Sequence, residues 1–115
     1  MLPAKNRLRT SKDFALTTKT GFRATSLSLV VYLRTVPELS APQIGFIVNK
    51  SIGGSVTRHR VSRQLRHLIA EIIPTLGANS KNTQLVVRVL RKREDYKTEL
   101  VELIEKATKK LVVSQ

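Results

Sequence analysis

The chain has 115 residues, 41% of them apolar, with 21 Lys and Arg against 8 Asp and Glu, a formal charge of +13. It has no cysteine, which excludes disulfides, zinc ribbons and thiol catalysis within it and fits a reducing cytoplasm. The longest apolar run, Leu29 to Leu33, falls far short of the ~20 residues of a membrane-spanning helix, and the basic stretch Met1–Lys12 has no apolar run behind it to make a secretory signal.

So large a cationic excess works against compactness by self-repulsion and finds its rationale in a polyanionic partner. Solubility alone needs much less charge. Nucleic acid is therefore favoured over a membrane surface. The length suits one domain over residues 1–115. Residues 1–70 hold 12 basic side chains and two acids, Asp13 and Glu38, and no acid occurs between Leu39 and Ala70. The last third mixes nine basic with six acidic residues, as a solvated face does.

In chain order, Ser11 at a capping position followed by Phe14 and Leu16 predicts a short helix that Gly21 ends. Leu27–Arg34 predicts a strand with Leu29, Val31 and Leu33 on one face and Val30 and Tyr32 on the other. Pro37–Pro42 reads as a loop. Ile44–Asn49 reads as a second strand, for which antiparallel pairing to the first is the economical expectation. Gly53-Gly54 then breaks the chain, and Ser55 is placed to cap a helix whose Val61, Leu65, Leu68, Ile69 and Ile72 recur at helical spacing before Pro74 stops it. Gln84–Leu90 is apolar enough for a sheet interior. Glu94-Asp95 precedes a last helix with Leu100, Leu103, Ile104, Ala107 and Leu111 on one face, and its final few residues are expected to be disordered. The order of helix, strands, helix, strand, helix predicts an α+β fold, a small sheet with helices packed on it.

The middle helix carries the chemistry. At about 100° per residue its apolar positions fall in one arc of roughly 100°. Arg58, Arg66, His59, Arg63, His67 and Arg60 fan through about 200° of the remainder. Guanidiniums on one rigid rod can meet successive phosphates in bidentate geometry, and the two histidines can stack on bases or donate hydrogen bonds. An ordinary solvated face would intersperse Glu and Asp at i,i+4, and none occurs here before Glu71.

Catalytic groups are not visible. His59 and His67 sit about 80° and roughly 12 Å apart on the helix, too far to share a metal ion. The sparse acids before Glu71 assemble no carboxylate pair, and Lys50-Ser51-Ile52-Gly53-Gly54 lacks Walker spacing. Of the five aromatics, Phe46 and Tyr96 read as packing. Phe14 and Tyr32 suit either base stacking or the core.

Ile44-Gly45-Phe46-Ile47-Val48-Asn49-Lys50, then Gly53, then the run from Val56 to Arg66, resembles the bacterial ribonuclease P protein family. Asn6-Arg7-Leu8, Asp13-Phe14 and Gly21 extend the resemblance to the N-terminal segment. It implies a protein cofactor for a catalytic RNA that cleaves the 5′ leader from precursor tRNA with magnesium ions, with no catalytic group in this chain and no obligate protein partner. Carried over residue by residue, Lys50, Arg58, His59, Arg60, Arg63, Arg66 and His67 would contact the catalytic RNA, and Phe14, Val30 and Tyr32 the single-stranded leader. Arg7, Arg9 and Lys12 would add basic contacts. The resemblance also implies a left-handed crossover between the second strand and Gln84–Leu90, which chain chirality alone does not favour.

Four positions depart from the commonest pattern of that family: His59 in place of asparagine, Ser51 and Ser62 in place of lysine, and Thr18 in place of a second aromatic. Each trims charge or stacking. Two other readings compete: a ribosomal or structural RNA-binding protein, and a DNA-binding module using the same helix in a major groove. The second lacks the partner helix of a helix-turn-helix.

Overall fold

Strand alternation decides the layers. The computed structural model describes residues 7–8, 10–39, 41–72 and 82–114. Its elements are α1 (Ser11–Thr20), β1 (Phe22–Thr25), β2 (Leu29–Thr35), β3 (Gln43–Ile47), a 3₁₀ turn (Lys50–Ile52), α2 (Ser55–Ile72), β4 (Thr83–Val89) and α3 (Lys97–Ser114). Within β2, Leu29, Val31 and Leu33 join one buried cluster while Val30 and Tyr32 join another, as the period-two pattern predicts. The larger cluster lies under α2 and α3, through Val61, Leu65, Ile69, Leu100, Leu103, Ile104 and Ala107. The smaller one lies on the opposite face with Leu8, Val86 and the partly buried Phe14. The fold is α+β, with a mixed sheet covered on both sides.

The strand order is β1-β2-β4-β3. β4 is interior, as its apolar density predicts, antiparallel to β2 and parallel to β3. The expected antiparallel pairing of β3 with β2 does not occur. β2 has β1 on one edge and β4 on the other, so β3 pairs with the free edge of β4 after α2 carries the chain across. β1 was not anticipated: four residues, Phe-Arg-Ala-Thr, are too short to show a period, yet Phe22 and Ala24 extend the inner face beside Leu33 and Val31. On the outer edge of β3, Arg7 bridges to Ile44 and the Leu8 N–H donates to the Ile44 carbonyl at 2.9 Å.

Helix ends differ from expectation by one residue. Thr10, not Ser11, caps α1: its Oγ1 accepts from the Asp13 N–H at 3.1 Å and donates to the Asp13 carboxylate at 2.8 Å. Gly54, not Ser55, accepts the first α2 bond, from the Arg58 N–H at 2.9 Å. Asp95 accepts from the Lys97 N–H at 2.9 Å, so the acidic pair does serve the start of α3. Arg9, the Pro74 stop, and the side chains after Lys110 on which terminal disorder would bear lie outside the described residues. No described helix is long and apolar enough to cross a membrane.

The β1–β2 turn is tied to α3. The Glu99 carboxylate accepts from the Ser28 N–H at 3.0 Å and from Ser26 Oγ at 2.9 Å, and the buried Ser28 in turn accepts from the Leu90 N–H and Arg93 Nε. Tyr96 locks the approach to α3, its hydroxyl donating to the Arg91 carbonyl and accepting from the Arg93 N–H; burial raises its pKa. Glu99→Ala leaves the Ser28 N–H without its acceptor and should cost about 2 kcal/mol in urea unfolding, with Glu99→Gln retaining part of it. A loss under about 0.5 kcal/mol would show that water replaces the carboxylate.

Candidate nucleic-acid interface

α2 presents its cations on two surfaces rather than one. The 3₁₀ turn ends at Gly53, whose φ of +154° suits glycine and where a Cβ would meet the Thr57 side chain at 2.9 Å. That turn leaves Lys50 exposed and swings the chain into α2. Ser55, Arg58, His59, Ser62 and Arg66 then line a pocket of about 270 Å³ with Phe46 and Val48 from the end of β3. Arg58 and Arg66 are half-buried there, and the Arg58 Nε is buried without a hydrogen-bond partner among the described residues. Arg60, Arg63 and His67 lie on the other flank of the fan, exposed.

The inner side of α2 behaves as the stripe predicts. Val61, Leu65 and Ile69 are buried, with Leu68 and Ile72 packed against the same core. Gln64, between stripe and fan, donates to the Glu94 carbonyl at 3.3 Å. No acid lies in α2 before Glu71, so its guanidiniums keep their full field toward solvent. Such a rod can neutralise phosphates along one flank. On the other it offers an aromatic-floored pocket rimmed by two guanidiniums and an imidazole.

The second group of predicted residues gathers on the opposite face of the sheet. Val30 is 3% and Tyr32 8% exposed, so both belong to the smaller core rather than to an open surface. Phe14 is half-buried and lies directly over Gly45, where a Cβ would overlap its ring. A side chain at this position would have to displace the ring, so glycine is what lets Phe14 lie against β3. Arg7 and Lys12 are exposed near this face, Arg7 beside β3 and Lys12 in the first turn of α1.

Two features of this face escaped the sequence reading. Arg34 pins α1 to the sheet: its Nε and Nη2 donate to Gln84 Oε1 at 3.1 and 2.8 Å, and its Nη2 lies 3.9 Å from the Asp13 carboxylate. Thr17 donates to the same Gln84 oxygen at 3.2 Å. Arg34 follows Val30 and Tyr32 at even spacing, which was the available signal for its side. The other feature is Arg88, on β4. Among the described residues, no group of three or more His, Cys, Asp or Glu side chains could hold a metal ion.

A family model described as ribonuclease P matches residues 2–112 of the chain. The chain is similar to the ribonuclease P protein component of Mycobacteroides abscessus, 45% identical over 96 residues, covering 78% of this chain and 73% of that protein. It is also similar to that of Streptomyces bikiniensis, 43% identical over 98 residues, covering 78% and 77%. Among solved structures, the ribonuclease P protein of Staphylococcus aureus superposes with a TM-score of 0.67 at 19% identity, over 90% of this chain and 93% of that one. The ribonuclease P protein from Thermotoga maritima gives 0.63 at 21%, over 91% and 93%. These two carry the fold.

The exposed flank of α2 generates a direct test. Arg60→Ala should weaken binding to a folded RNA and flatten the dependence of log affinity on log salt by about one. An unchanged slope in a filter-binding titration would remove Arg60 from the phosphate contacts.

Proposed function

Because the chain belongs to the ribonuclease P protein family, we propose that it binds a catalytic RNA through α2 and the 5′ leader of precursor tRNA through the face under α1. In this reading the complex removes the leader to give the mature tRNA 5′ end. The observation that carries the reading is the separation of two unlike surfaces by one sheet. An acid-free array of Arg58, His59, Arg60, Arg63, Arg66 and His67, with Lys50 before it, lies on the side of α2. Phe14 lies on the side of α1, packed against the buried Val30 and Tyr32 and flanked by the exposed Arg7 and Lys12; Arg9 belongs with them by sequence.

The chain's own residues would act by charge and position. Guanidiniums on a fixed rod offset the repulsion between two RNAs, so fewer counterions have to be condensed when substrate docks. Phe14 supplies a half-buried ring against which an unpaired base can stack. Magnesium would supply the Lewis-acid chemistry of phosphodiester cleavage when bound. On this reading the magnesium belongs to the RNA, and the catalytic groups lie there and not in this chain. The site of action is the cytoplasm, where precursor tRNA is made and the cysteine-free composition is at home.

Reconstitution tests this. With a bacterial ribonuclease P RNA, the protein should lower the magnesium concentration needed to cleave precursor tRNA. No such effect would favour a structural RNA-binding role instead. In the same assay Phe14→Ala should cut affinity for long-leader substrate by ~1–3 kcal/mol and leave leaderless tRNA unchanged. Equal losses for both would mean that Phe14 only packs α1 onto Gly45.

A further inference from the structure

From Leu85 to Val89 the central strand is apolar on both faces but for one residue, Arg88. Its side of the sheet is that of Val30 and Val86, and its register neighbours are Val30 on β2 and Ile47 on β3. The side chain is half-buried, and its Nε is wholly buried with no hydrogen-bond partner among the described residues. Among the described residues no carboxylate pairs with it. Desolvating a guanidinium without a counter-charge is unfavourable, and an apolar residue in the same row would cost the fold nothing of the kind.

The other half-buried arginine of this face is satisfied, although Arg58 on α2 shares with Arg88 a buried Nε that has no partner among the described residues. Arg34, on the same face, has Gln84 and Asp13; Arg93 donates from its Nε to Ser28 Oγ at 2.6 Å. Helix α1 makes its contacts over the other end of this face, with Thr17 on Gln84 and Phe14 over Gly45. Gly45, Val86 and Tyr32 form one row across the sheet, and Ile47, Arg88 and Val30 form the next, one pleat further from Gln84. A strand of RNA lying across Phe14 would continue over that row.

We propose that Arg88 is held unpaired in the fold so that its guanidinium can take a backbone phosphate of the single-stranded leader. The inference rests on the reading of this face as the leader site and adds the charge that the aromatic and aliphatic residues there lack. A full negative charge offsets the desolvation of a guanidinium better than a neutral base carbonyl does, and the guanidinium fork matches two phosphate oxygens. Arg88 is thus a binding and positioning residue whose cost is borne by the free protein.

The test joins stability to binding. Arg88→Met and Arg88→Lys are compared with wild type in thermal unfolding of the full chain. Each is then assembled with a bacterial ribonuclease P RNA and titrated with precursor tRNA, with and without a leader. Arg88→Met should melt higher than wild type and lose roughly tenfold of the affinity gained from the leader. Its salt slope for leader-bearing substrate should fall by about 0.7, with leaderless tRNA unaffected. Arg88→Lys should keep the slope and lose part of the affinity. A neutral methylphosphonate at one leader linkage should weaken wild type and add nothing to Arg88→Met. A lower melting point with the leader gain intact would make Arg88 structural and overturn the proposal, as would equal losses with and without a leader. If wild type itself gained nothing from a leader, the reading of the whole face would fail, and this assignment with it.

Discussion

Everything in this fold turns on β4 being apolar on both faces. Leu85, Val87 and Val89 need cover on one side and Val86 on the other, so the chain has to place helices above and below the same strand. The two long helices serve the larger cluster. The 10-residue α1, about 15 Å long, serves the smaller one, and a helix of that length leaves part of the face to other groups. Burial on both sides thereby produces two exposed surfaces of different character, the outside of α2 and the margin beside α1.

The rigidity of these surfaces has local causes. α2 is held by Val61, Leu65 and Ile69, so its guanidiniums project from a fixed rod and lose little further freedom on meeting phosphate. α1 is held by Arg34, Asp13, Thr17 and Gln84, a polar network at the end of β2 and the start of β4, and by the contact of Phe14 with Gly45. The phenyl ring is consequently both a structural wedge and the most accessible aromatic of the face. Val30 and Tyr32 beneath it are too enclosed to meet a base without some displacement of what covers them.

Much of this was legible in the sequence, and the rest was hidden for physical reasons. The helical recurrence from Val61 to Ile72 and the alternation from Leu29 to Leu33 report burial directly, so α2, β2 and its two faces could be read. β1 could not, because four residues show no period. The partner of β3 could not, because a hairpin is favoured locally while the two-sided hydrophobicity of β4 is a demand of the whole sheet. The division of the arginine fan into a pocket side and an exposed side depends on where β3 ends, which puts Phe46 and Val48 beside Arg58 and Arg66. Arg34 and Arg88 illustrate the same limit: their spacing marks a face, but only the tertiary structure shows one paired and the other with a buried Nε that meets no partner among the described residues.

The central claim is that one sheet keeps two RNAs apart, catalyst on α2 and leader under α1. A photo-crosslinker placed in turn at His67 and at Lys12, in the assembled complex with precursor tRNA, tests it most directly. The account predicts that the His67 probe labels only the catalytic RNA and the Lys12 probe labels the leader. Both probes on the same RNA would contradict it.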